Sequence, residues 1–211
     1  MYTSLEIEFK TKISKDEYEK LIELFDLKDK IFTQTNYYFD TPNHFLINNN
    51  IILRIREKSH NIKLTSKSPL DTGLLERHII LDKDKAYEMI KDGFDASIIE
   101  IDHFVKNVAT LTTHRATIPY KSGTLFFDKN TYYDQIDYEI EFEAENEVVG
   151  KQEFFEFLKE HNIQYIKMES KSLRAYKKSS QKWWFFLIIY LIIIIFFDCI
   201  FIITRITIKT H

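Results

Sequence analysis

The chain has 211 residues, 45% of them hydrophobic and 15% aromatic, which is enough for one domain with a packed core and too apolar for a disordered protein. A formal net charge of −3 gives no bulk attraction to nucleic acid, and no RNP, helix-turn-helix or zinc-finger pattern is present, so nucleic acid is not an expected partner. The single cysteine, Cys199, excludes an internal disulfide, and the N-terminus lacks the basic-then-apolar pattern of a secretory signal, so the body is expected to be cytoplasmic.

The first element is a strand. In "LEIEFK" Leu5, Ile7 and Phe9 fall on one face, and Glu6, Glu8 and Lys10 on the other. A helix follows: Ser14 and Glu17 make an S-x-x-E capping box, and Tyr18, Leu21, Ile22 and Phe25 recur at helical spacing. "LRIR" then places Arg54 and Arg56 opposite Leu53 and Ile55, and "NIKLTSK" places Lys63, Thr65 and Lys67 opposite Leu64. "DKDKAYEMIKDGF" reads as a short helix, and "SIIEIDHFVKNV" as another, opened by Ser97 and Glu100 in the same box pattern. "YEIEFE" is an acidic strand with Glu139, Glu141 and Glu143 on one face, and "GKQEFFEFLKEHNI" a helix whose Phe154, Phe155, Phe157 and Leu158 form a core stripe. The body is therefore α+β, with helices covering an antiparallel sheet or barrel.

The charged faces carry the chemistry. A strand with its back to solvent usually intersperses signs, because like charges at i and i+2 repel. Here two strands are purely basic and one purely acidic, so they need counter-ions. Pointed inward, the acidic strands offer oxygen ligands to a hard divalent cation. The basic strands offer Arg forks and mobile Lys charges to a polyanion. With only four glycines, at 73, 93, 123 and 150, no P-loop or dinucleotide loop can form, so side chains must hold any phosphate. The seven histidines are scattered without zinc-ligand spacing, which suits surface or hydrogen-bonded structural roles.

An ordered set of motifs carries a family resemblance over about residues 4 to 178. It comprises "EIEFK", "YFDT" at Tyr38 to Thr41, "LRIR", "IKLTSK", the pair Glu76 and Arg77, Arg115, "LFFDKNTYY", "YEIEFEAE" and "ESKSLRAY". The chain resembles the CYTH superfamily, the triphosphate tunnel metalloenzymes, and within it the small single-domain bacterial type of low-GC Gram-positive organisms. The resemblance implies a closed eight-stranded antiparallel barrel with a charged tunnel and peripheral helices, spanning residues 1–180. It implies a triphosphatase using Mg²⁺ or Mn²⁺, with inorganic tripolyphosphate the favoured substrate. A class IV-type adenylate cyclase, a thiamine triphosphatase and a non-catalytic triphosphate-binding module stay open as alternatives. By motif, Glu6, Glu8, Asp128, Glu139 and Glu141 would hold the metal. Lys10, Arg54, Arg56, Lys63, Arg115, Lys171 and Arg174 would grip the phosphates, and Lys63 and Glu76 would serve catalysis. Glu143 and Lys67 continue their strand faces to where a tunnel mouth would leave them solvated.

Residues 181–211 form a separate hydrophobic tail. From Trp183 to Ile203 every residue but Asp198 is apolar, and about 20 such residues suffice to cross a bilayer as a helix. Lysines precede the run, and positive-inside weakly favours a cytoplasmic body. The run reads either as a membrane anchor in contact with lipid or as a non-native extension of the kind an AT-rich reading frame yields.

Overall fold

Strict alternation in β1 (Tyr2–Ile13) sorts its residues onto two faces, and the same sorting recurs in the seven strands that close a ring with it. The computed structural model describes residues 1–181. After β1 come α1 (Lys15–Leu24), β2 (Phe32–Asp40), α2 (Phe45–Asn48), β3 (Ile52–Lys58), β4 (Asn61–Pro69), β5 (Leu74–Leu81) and α3 (Lys83–Asp92). Then follow β6 (Phe94–Asp95), β7 (Phe104–Tyr120), β8 (Gly123–Tyr132), β9 (Gln135–Ala144) and α4 (Glu147–Glu160), and residues 171–181 form a last helix, α5. The strand order is β2-β3-β4-β5-β1-β9-β8-β7-β6, every pairing is antiparallel, and a β2–β7 pairing closes eight strands into a barrel with two-residue β6 outside it.

The apolar faces point outward and helices cover them. Ile140 and Phe142 of β9 and Leu125 and Phe127 of β8 pack under Tyr18, Leu21 and Ile22 of α1 and Phe154, Phe157 and Leu158 of α4. A second cluster sets Leu53, Ile55, Ile62 and Leu64 of β3 and β4 under Leu46 of α2 and Ala86 and Met89 of α3. Each large side chain so buried is worth about 1.5–3 kcal/mol, which explains why the barrel needs no apolar interior. The interior is left to charge: Glu8 and Lys10 stand across from Glu143 and Glu141, Arg115 across from Asp128, and Arg56 across from Lys63. α5 packs Ala175 against Tyr38, Leu111 and Tyr132. The chain reaches α5 over β1, where Ile166 exchanges backbone hydrogen bonds with Lys12 and the Thr11 hydroxyl at 3.2 and 2.8 Å.

The capping box forms as expected: Ser14 Oγ accepts from the Glu17 amide at 3.2 Å, and the Glu17 carboxylate accepts from the Ser14 amide at 2.7 Å. α4 starts earlier than its apolar stripe, because Asn146 caps it by accepting from the amides of Val148 and Val149. The helix expected over 97–108 does not form. Only Ala96–Ile99 makes a 3₁₀ turn, Glu100 ends it at a φ of 64°, and β7 begins at Phe104. Glu100, the second half of the supposed box, instead accepts from Arg77 at 2.6 Å, and Val105 pairs with Phe94 while Asn107 and Ala109 pair with Phe39 and Tyr38 across a bulge. The apolar tail Trp183–Ile203 lies outside the described residues; among those, no helix is long and apolar enough to cross a membrane.

Candidate active site

The barrel opens on a cavity of about 570 Å³ whose walls differ in charge. One wall is basic. Arg54 and Arg56 of β3 and Lys63 of β4 line it, and none of them makes a salt bridge among the described residues. Arg56 donates to Asn36 Oδ1 at 2.8 Å, while Arg54 Nε, Gln34 Nε2 and Asn36 Nδ2 are buried without any hydrogen-bond partner. Such orphaned donors are costly unless a ligand meets them. Burial and the neighbouring Arg54 and Arg115 push the Arg56 guanidinium down to about 9, and burial with Arg56 and Arg54 pushes Lys63 below the usual lysine range. Concentrated positive charge without a partner favours an anion.

The opposite wall is acidic. Carboxylate oxygens of Glu6, Glu8 and Glu143 lie within 4.8 Å of one another. Burial, then the charges of Glu6 and Glu8, push Glu143 up to about 7. Glu6 is also raised by burial, partly offset by Lys67, which donates to it at 2.5 Å and pairs with Glu76 at 2.8 Å. Burial alone would raise Glu76, but Lys67 and then Arg54 and His78 overcome it and hold its carboxyl at about 2. His78 is buried and fixes Glu76 from the other side at 3.1 Å, its second ring nitrogen meeting Thr65 at 3.2 Å. Lys67 is thus a buried staple between two carboxylates and not the solvated charge its position near a strand end suggested.

Deeper in the barrel a second acidic group is already neutralised. Oxygens of Asp128, Glu139 and Glu141 again lie within 4.8 Å of one another. Arg115 forks onto Asp128 at 2.7 and 2.6 Å and reaches Glu141 at 2.5 Å. Lys171, the first residue of α5, pairs with Asp128 at 2.8 Å, with Glu141 at 2.5 Å and with Glu139. Arg174, one turn on, holds Asp137 at 3.0 Å and Glu139 at 2.9 Å. Lys10 pairs with Glu8 at 2.8 Å and stands opposite Glu141, between the two groups. The five carboxylates expected at a metal therefore divide two and three. Of the seven expected phosphate ligands, Arg54, Arg56 and Lys63 are unpaired and Lys10, Arg115, Lys171 and Arg174 hold carboxylates. Glu143, read on the "YEIEFE" face but as a solvated charge at a tunnel mouth, instead lines the cavity and converges with Glu6 and Glu8. Gln34 and Asn36 were not among the expected site residues, and no sequence signal marks the two amides.

A family model described as CYTH domain matches residues 4–176. The Bacillus subtilis (strain 168) protein YjbK, provisionally designated a triphosphatase, is 34% identical over 185 residues, covering 84% of this chain and 97% of its own. A solved Bacillus halodurans structure, provisionally designated an adenylate cyclase, is 33% identical with a TM-score of 0.76, covering 82% of this chain and 98% of that one. A Hippeastrum protein described as having dominant triphosphatase activity shares the fold at a TM-score of 0.65, with 23% identity over 82% of this chain and 96% of its own.

Proposed function

The chain belongs to the CYTH domain family, and from that premise we propose that it hydrolyses triphosphate compounds, inorganic tripolyphosphate foremost, with Mg²⁺ or Mn²⁺ as cofactor. One observation carries the reading: a single cavity is lined by unpaired basic residues, Arg54, Arg56 and Lys63, and by the carboxylates of Glu6 and Glu143, which converge with that of Glu8. A triphosphate and a divalent cation are the pair of ligands that would balance both.

Glu6, Glu8 and Glu143 fit the cation, since three convergent carboxylate oxygens on an open cavity suit a hard ion that keeps part of its water shell. Bound there, the cation would draw charge from the phosphate oxygens. The chain's own residues do the rest. Arg54 and Arg56 grip phosphate oxygens as planar forks and stabilise charge as the bridging bond breaks. Gln34, which lines the cavity with its side-chain amide unpartnered, donates toward the same anion, and Asn36 holds Arg56 in place by accepting from it. Water attacks the terminal phosphorus in line, diphosphate leaves, and orthophosphate is the second product. Lys63 lines the cavity, where burial with Arg56 and Arg54 favours loss of its proton, and as the neutral amine it would take the proton of the attacking water. Glu76, held ionised near 2, is a poor proton acceptor at neutral pH and acts as a fixed charge that positions Lys67.

A second reading has support in the cavity wall as well. Tyr2, Phe32 and Phe126 line it beside the basic residues, and an aromatic group on the triphosphate, as in thiamine triphosphate or ATP, would meet them. Phosphate release by the full chain in detergent, with tripolyphosphate, thiamine triphosphate or ATP and with Mg²⁺, Mn²⁺ or chelator, tests both. Metal-dependent release from tripolyphosphate supports the first reading, and preference for an organic triphosphate supports the second. Tight binding without release would turn the protein into a binding module.

A further inference from the structure

Three aromatic rings line the cavity, and each already has a partner on one of its faces. Lys58 Nζ sits 3.8 Å from the centre of the Phe32 ring, the Arg115 guanidinium 4.3 Å from that of Phe126, and the Tyr2 ring 4.7 Å from the ring of His78. A ring face attracts a cation without neutralising it. Arg115 is also paired with carboxylates, whereas the Lys58 ammonium has no ion pair or hydrogen bond among the described residues. Partial burial, then Arg56 and Arg115, push it below the usual lysine range. Lys58 also ends a row. Arg54, Arg56 and Lys58 alternate along β3, line the same cavity and run from buried through half-buried to exposed. At about 3.3 Å of rise per residue, the row is about 13 Å long. Lys58 leans over Phe32, two residues before its cross-strand partner Gln34, a diagonal that a long side chain spans.

We propose that Lys58, seated on Phe32, forms a subsite for the phosphoryl group next beyond a triphosphate, so that the cavity selects linear inorganic polyphosphates over triphosphate esters. The inference rests on the triphosphatase reading and decides between its two kinds of substrate. A triphosphate gripped at its terminal end by Arg54 and Arg56 turns its far end toward Lys58, and whatever is attached there meets a lone ammonium. A further phosphoryl group brings negative charge to it. Adenosine brings none, and the thiazolium of thiamine brings a positive charge that is repelled. The rings that could stack a base or a thiazolium are engaged, two of them by cations. Asn61, across from Lys58 and also lining the cavity, adds an amide donor for the extra group. Hydrolysis then works from the enclosed end. Each water adds its oxygen to the terminal phosphorus as the bridging P–O bond breaks, giving orthophosphate and a chain one phosphoryl group shorter.

Steady-state kinetics of the full chain in detergent with Mg²⁺, on tripolyphosphate, tetrapolyphosphate, ATP and thiamine triphosphate, test this. The native chain is expected to favour tetrapolyphosphate over both esters in kcat/KM. Lys58→Met should lower kcat/KM for tetrapolyphosphate about tenfold more than for tripolyphosphate, chiefly through KM, because one charged contact to the additional group is lost. Lys58→Arg, which keeps the charge and can lie on the ring, should restore the native ratio, and Phe32→Leu, which removes the ring and keeps the charge, should give an intermediate one. In Lys58→Met, thiamine triphosphate should gain roughly fivefold on ATP, the effect of removing a like charge about 4 Å away in water. Equal losses for tripolyphosphate and tetrapolyphosphate in Lys58→Met, or a native preference for either ester, would overturn the inference and leave the triphosphatase reading intact. If no compound turns over, that reading fails by itself and calorimetric binding decides. A tetrapolyphosphate-to-tripolyphosphate affinity ratio about tenfold higher in the native chain than in Lys58→Met upholds the subsite, and equal ratios overturn it.

Discussion

Arg56 and Glu143 both line one cavity with opposite charge, and the difference in their partners sets what each substitution should do. Arg56 is hydrogen-bonded only through Asn36 and forms no ion pair among the described residues, so Arg56→Ala relieves crowded positive charge and should leave the fold intact. Loss of a well-placed charged donor costs about 10²- to 10³-fold in rate. Arg56→Ala should therefore lower kcat on tripolyphosphate by that factor at an unchanged melting temperature, and native-like turnover would exclude it from the phosphate site. Glu143 makes a separate prediction. Its carboxyl is raised from 4.5 to about 7, so the folded state holds the proton more tightly than the unfolded one. Its contribution to stability is complete below the unfolded value and is lost as pH rises through about 7. Without metal, the melting temperature should fall across that window; Glu143→Gln should flatten the fall, and bound Mn²⁺, which favours the ionised form, should reverse it. A slope unchanged by the substitution would show that Glu143 is not the titrating group.

At the scale of elements, the helices fix which strand faces become the interior. α4 approaches β1 and β9 at Gly150, where an added β-carbon would lie 2.4 Å from Ala144 Cβ and 3.0 Å from the Phe9 ring. Alanine gains up to about 1 kcal/mol over glycine within a helix. Overpacking against a rigid neighbour costs about 1–3 kcal/mol, so the clash should win. Gly150→Ala is expected to lower the melting temperature, and a stabilised variant would mean that α4 slides freely on the barrel. Truncating Phe154 of α4, fully buried and stacked on Phe9 of β1, should cost about 3–5 kcal/mol in denaturant unfolding. These elements were largely legible, because an apolar stripe and a capping box are local signals. The stretch 97–108 was not: its apolar residues fit both periods, and the choice fell to β7, which gains long pairings with β2 and β8 that no local reading contains.

For the molecule as a whole, the charges are complementary only when the barrel is closed. Four strands carry segregated signs, and closure through β2–β7 sets basic β3 and β4 across the lumen from acidic β1 and β9. If that opposition binds the substrate with its cation, chelator should abolish phosphate release. Tripolyphosphate with Mn²⁺ should then raise the melting temperature by more than either alone, because each ligand relieves the charge that opposes it. Equal shifts from the two ligands singly and together would argue against a shared cavity.

The sequence by itself determined the class of fold, the face on which each charge lies and the family, because side-chain alternation has a period of two and the motifs occur in a fixed order. Only the tertiary structure decided which charges are already paired. Lys171 and Asp128 are 43 positions apart in the chain by their numbering, yet meet at 2.8 Å, and Lys67 reaches Glu6 across the barrel wall at 2.5 Å. Ion pairing depends on distance through space, and a strand pattern specifies direction without distance. The five expected metal ligands therefore read alike in one dimension, and separate into an open group and a paired one when the barrel closes.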